Sequence, residues 1–135
     1  MPTLRLTTCL VACLFVPLAA LADGAIRLDL NRLDPVEGAC RLVLVAENPG
    51  EQPVEGLVLE AVLFDRAGRV SMLTLLDLQD LPAGRMRVRS FDLAGLDCDD
   101  LGRMLVNGTV CTPADAAACG QDLALSAQVD VELRQ

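Results

Sequence analysis

The sequence predicts an all-β domain built as two packed sheets. Three observations carry that expectation. Short runs in which apolar and polar residues alternate recur between residues 26 and 133, the period of half-buried strands. Turn signals containing Gly, Pro, Asn or Asp separate them at regular spacing. No convincing long helix interrupts the series. With 53% apolar residues the chain can fill a core, and 135 residues suit one domain better than two.

The elements follow in order. The first strand covers residues 26–33, where Ile26, Leu28 and Leu30 alternate with Arg27, Asp29 and Asn31. The second, residues 40–47, is rich in Val and Leu. Asn48-Pro49-Gly50 ends it, since proline sets one φ and glycine is free to take φ > 0. The third spans residues 56–64, and Asp65-Arg66-Ala67-Gly68 reads as a hairpin loop with Gly68 as its left-handed residue. The fourth covers residues 69–76, followed by the turn Leu81-Pro82-Ala83-Gly84. The fifth covers residues 85–91 and the sixth residues 103–111. Asn107-Gly108 is itself a hairpin turn signal, but one continuous strand is the preferred reading. The seventh, residues 123–133, alternates throughout, with Leu123, Leu125, Ala127, Val129, Val131 and Leu133 on one face. Seven strands at this spacing point to an immunoglobulin-like antiparallel sandwich, with a closed barrel as the alternative. The chain has no Trp, so the antibody signature of a core Trp beside a disulfide is missing and only the architecture is inferred.

Residues 1–22 read as a cleaved secretory signal peptide. Arg5 supplies the positive start, residues 9–22 are apolar apart from Pro17, and Ala20-Leu21-Ala22 is a small-x-small cleavage site before Asp23. This run is too short for a membrane span, which needs about 20 residues. Leu10-Val11-Ala12-Cys13 offers a second reading, a lipobox that would lipidate Cys13, but the apolar stretch before it is short and a greasy segment follows. The mature domain is then residues 23–135, with 10 Arg against 19 acids and a net charge of −9. Such a chain is a poor ligand for nucleic acid or an anionic membrane surface.

Cleavage leaves Cys40, Cys98, Cys111 and Cys119, and four cysteines in a small exported domain favour two disulfides. In an up-and-down succession, the start of the second strand and the fifth-to-sixth connection lie at one end. The sixth strand's end and the start of the seventh lie at the other. The second and fifth strands are also neighbours in the first-second-fifth-fourth sheet expected of this architecture. The preferred pairs are therefore Cys40–Cys98 and Cys111–Cys119. Loop-closure entropy makes them worth roughly 4 and 2.5 kcal/mol as upper estimates.

The segments EGACRL, VLFDRAGRV, LTLLD, LPAGRMRVRSFDLAGLDC and LGRMLVNG resemble a family of small exported alphaproteobacterial proteins of uncharacterised function. The family is commonly labelled for a twin-arginine signal. The resemblance covers about residues 37–119. It implies export and no particular activity, so no catalytic residue is carried over. Arg5 stands alone where that label requires an arginine pair.

The residue inventory narrows the chemistry. There is no His and no Lys, which removes the usual neutral-pH base and the Schiff-base amine. Asp97, Asp99 and Gly102 sit at positions 1, 3 and 6 of a calcium-loop count, but Leu101 and Gly108 occupy positions 5 and 12, where oxygen ligands are needed. No C-x-x-C pair supports a zinc or thiol-redox site. Asn107-Gly108-Thr109 matches a glycosylation sequon by coincidence. No catalytic, cofactor or metal residues are assigned, and no cofactor is expected. The best surface feature is a set of arginines: Arg85, Arg87 and Arg89 share one strand face, and Arg41 points out of a neighbouring strand. Together they form a candidate basic stripe for an anionic partner, with pairing to Asp29 and Glu47 as the plainer reading. The expectation is a periplasmic or secreted, non-enzymatic binding or accessory module of the cell envelope. A carboxylate-based hydrolase and a lipid-anchored form of the same module are the alternatives.

Overall fold

The computed structural model describes residues 24–135, so the signal peptide assigned to residues 1–22 and the lipobox at Cys13 lie outside the described residues. Eight strands are present: β1 (Arg27–Val36), β2 (Ala39–Asn48), β3 (Val54–Asp65), β4 (Val70–Leu81), β5 (Arg85–Ala94), β6 (Leu101–Thr112), β7 (Ala124–Ala127) and β8 (Glu132–Arg134). They form two four-stranded sheets, ordered β5-β2-β1-β7 and β4-β3-β6-β8. The alternation in the sequence explains the layering. Leu28, Leu30, Leu42, Leu44, Leu59, Leu63, Leu76 and Leu78 are all buried, each separated by one residue from the next inward neighbour on its strand.

Two expectations are corrected. The fourth strand does not extend the sheet of β1, β2 and β5; β4 pairs antiparallel with β3 instead. The loop from Asp65 to Gly68 accounts for this, because a tight hairpin keeps consecutive strands adjacent. Gly68 has φ +81°, and its N–H donates to the Asp65 carbonyl at 2.9 Å. The seventh strand is also not one antiparallel strand. Residues 124–127 run parallel to β1, the chain then bends, and residues 132–134 run parallel to β6 in the other sheet. The alternation continues through this crossing because both sheets face one core. Leu123, Leu125, Ala127, Val129, Val131 and Leu133 all pack on it.

The two sheets are fastened at their ends. Cys40 bonds to Cys98, with Cα atoms 5.1 Å apart, and ties the start of β2 to the β5–β6 crossover. Cys111 bonds to Cys119 and closes the short loop after β6. Asn48 is the one buried polar side chain among the described residues. Its amide donates to the carbonyls of Gln52 at 2.8 Å and Leu81 at 3.0 Å, and its oxygen accepts from the Gly50 N–H at 3.0 Å. Its hydrogen bonds offset the cost of taking the amide out of water, and here they join β2 to the end of β4.

Candidate functional site

The arginines set apart by the sequence do not form one stripe. The β2–β5 register places Arg85 opposite Asn48, Arg87 opposite Ala46 and Arg89 opposite Leu44, all inward positions of β2. Arg41 lies opposite Asp92, on the outer face. Phe91 and Leu93 impose this parity: they pack on the core, and every second residue before them must share their side. Since β5 is an edge strand, the arginines reach past the margin of the sandwich. Arg87 and Arg89 pair with Asp80 of β4 at 3.3 and 3.4 Å, and Arg89 Nε donates to the Leu78 carbonyl at 3.0 Å. Arg41 is held bidentately by Asp92 at 2.6 and 2.8 Å. That hydrogen bond leaves the Asp92 carboxyl below its ordinary range and the Arg41 guanidinium above its own. These partners differ from the Asp29 and Glu47 expected; Glu47 pairs with Arg27.

The aspartate-rich loop is a capped turn. Asp97 accepts from the Asp99 N–H at 2.9 Å and begins a short 3₁₀ turn, Cys98–Asp100. Arg66 Nε donates to the Asp99 carbonyl at 2.6 Å. Gly102 permits the approach of β6 to the β3–β4 hairpin: a Cβ there would lie 2.9 Å from the Asp65 carbonyl oxygen. Among the described residues, no group of His, Cys, Asp and Glu is arranged to hold a metal ion, and no enclosed pocket is formed.

The outer face of the β5-β2-β1-β7 sheet is polar over β1 and β7. Asp29 accepts from Ser126 at 2.6 Å, Gln128 at 2.8 Å and Asn31 at 3.0 Å. Burial pushes the Asp29 carboxyl up, and these three hydrogen bonds outweigh it, so its pKa lies below the ordinary value. Met86 and Val88 of β5 are exposed at this sheet's edge.

The outer face of the other sheet is different. On β3, Leu59, Ala61 and Leu63 are buried, so Val58, Glu60, Val62 and Phe64 face away from the core. The register sets Val62 between Leu73 and Leu105, Val58 between Asp77 and Val110, and Phe64 between Val70 and Arg103. The result is a mostly apolar surface in which Val70, Leu73, Leu75 and Val110 are 53–68% exposed. Charge is confined to its margin and to Glu60, which accepts from Asn107 at 2.6 Å. At one end the Arg103 guanidinium lies 5.5 Å over the Phe64 ring and donates to Glu132 at 2.6 Å. Arg134 also pairs with Glu132. The hydrogen bond from Arg103, then that from Arg134, holds the Glu132 carboxyl below its ordinary range.

Sequence reasoning passed over this face, although β4 carried a signal for it. Val70, Met72, Leu73, Leu75 and Leu76 put apolar side chains on both sides of an edge strand, where one covered side needs only every second residue. No protein-family model matches the chain, and no curated protein or solved structure matches it. No helix among the described residues is long and apolar enough to cross a membrane.

Proposed function

We propose that this chain is an exported, non-catalytic binding module of the cell envelope, immunoglobulin-like in architecture with its last strand shared between the sheets. Its contact surface is the apolar outer face of β4, β3 and β6. One observation carries the reading. A chain of net charge −8 keeps Leu73, Leu75, Val70 and Val110 in solvent on one continuous sheet face, and exposed apolar patches of that kind mark interaction sites. Two disulfides support an oxidising compartment. The anion-binding role for Arg41, Arg85, Arg87 and Arg89 is set aside, since Arg41 lies on the opposite face from the rest and Arg41, Arg87 and Arg89 pair with acids.

The test is site-specific photo-cross-linking in cells. A photoreactive residue at Val110 should give a discrete adduct, identifiable by mass spectrometry. The same residue at Asp34, on the polar face, should give none. Adducts of equal yield from both positions, or none from Val110, would remove the reading.

A further inference from the structure

We propose that a second copy of this chain pairs with the open edge of β4. The two β4 strands run antiparallel about a two-fold axis at Leu73 and join two four-stranded sheets into one. The apolar part of this contact rests on the reading of the outer face as a binding surface; the edge, the register and the partner are argued separately.

β4 is the last strand of its sheet, so alternate backbone N–H and C=O groups point away from β3. Its C-terminal part is blunted. Arg89 covers the Leu78 carbonyl, Arg87 and Arg89 hold Asp80, and Asn48 covers the Leu81 carbonyl. Inward-pointing charges are a common way to close an edge to a further strand. The stretch from Val70 to Leu76 has no such cover among the described residues, and it contains no charged residue and no proline.

Charge chooses the partner and its direction. Arg69 stands just before the open stretch, its side chain 81% exposed while it pairs with Asp65. Asp77 stands at the other end; its carboxylate accepts the Gln79 N–H at 2.8 Å and has no ion pair among the described residues. Antiparallel pairing centred on Leu73 sets Leu73 opposite its own copy and, past the β4 bulge at Ser71, brings Arg69 of each copy to within one position of Asp77 of the other. This charge pair occurs twice. Parallel pairing would set Arg69 against Arg69 and Asp77 against Asp77, and like charges directly opposed are destabilising. The contact is isologous and uses the same edge of both molecules, so it closes at two copies. The far edge of the sheet is β8, only three residues long, and offers little to extend it.

The experiment uses the full chain, expressed and purified as the cell processes it, in sedimentation velocity over a dilution series. A reversible dimer is expected. Leu73→Cys should form a disulfide-linked dimer on mild oxidation, because opposed Cβ atoms in an antiparallel pair lie about 4.5–5.5 Å apart. Val110→Cys, on the same face but away from the edge, should not. Asp77→Arg should weaken association at least tenfold, on the order of 1.4 kcal/mol. Adding Arg69→Asp should restore it. Peptide mapping of each variant without reductant checks that both native disulfides remain. A monomer at every concentration overturns the proposal, and so does a dimer that Cys at position 73 fails to cross-link. A monomer that still gives the Val110 photo-adduct removes only the pairing. A cross-linked dimer without that adduct removes only the binding-module reading.

Discussion

The two outer faces of the sandwich are built on similar sheets and differ in chemistry. Over β1 and β2, outward positions carry Arg27, Asp29, Arg32, Asp34, Arg41 and Glu47, each with a hydrogen-bonded partner nearby, around a short apolar row of Val43 and Val45 that continues to Val88 of β5. Over β4, β3 and β6, outward positions carry Val70, Leu73, Leu75, Val58, Val62 and Val110. A sheet with one side packed on a core is free to be polar on the other, and the first face follows that rule. The second departs from it: Val62 is covered by its neighbours, but Val70, Leu73, Leu75 and Val110 stay in solvent and bury little area. The difference separates a face that helps hold the molecule together from one whose apolar groups are available to something else.

Substitutions can break or sharpen this contrast. The largest effect is expected at the seam between the sheets. Asn48→Ala removes three hydrogen bonds, two of them buried, and takes the Asn48 donor from the Leu81 carbonyl. A loss of about 3 kcal/mol should appear as a lower denaturant midpoint with an unchanged slope.

Asp29→Ala on the polar face should cost about 1–2 kcal/mol and speed amide exchange in β7, whose Ser126 it anchors. The pH dependence follows from the sign of the shift. The folded carboxyl lies below its ordinary value, so its contribution is fully present above the unfolded pKa, about 3.9. It is lost as pH falls through the lower, folded value. Asp29→Asn should therefore show a shallower loss of stability in acid than the parent. An identical acid profile would mean that the three hydrogen bonds do not favour the charged form.

The smallest effect is expected on the apolar face. Leu75→Ser should change stability by less than about 0.5 kcal/mol, because Leu75 is 68% exposed. A loss comparable with that of Asp29→Ala would show that the apolar face, too, supports the fold.

The sequence carried the inward residues of β1, where Ile26, Leu28 and Leu30 alternate with Arg27, Asp29 and Asn31, and the strand character of β2, β3 and β6, whose apolar runs leave the facing to the register. It misled at β5, where Arg85, Arg87 and Arg89 look outward beside Met86 and Val88. The parity of that strand is set by Phe91 and Leu93 farther along, and at a sheet edge an inward arginine can bend past the core and find an acid. Alternation also hid the break between β7 and β8: two sheets facing one core demand the same pattern, so period alone does not report a change of sheet. The apolar face was missed for a related reason. Outward Leu73 and Leu75 are visible as residues, but they become a surface only when Val62 and Val58 are registered beside them.

The divided last strand has a mechanical consequence. β7 runs parallel to β1 over four residue pairs, from Arg27 with Ala124 to Leu30 with Ala127. The chain enters β1 at one end of this ladder and leaves β7 at the other. Pulling the two ends of the domain apart draws first on β8, which must slide along its parallel partner β6 before the load reaches β7 on β1, and in each ladder the hydrogen bonds share the load instead of opening in turn like a zip. A domain strung between two anchored neighbours along that axis would resist stretching best in the direction its own chain ends define.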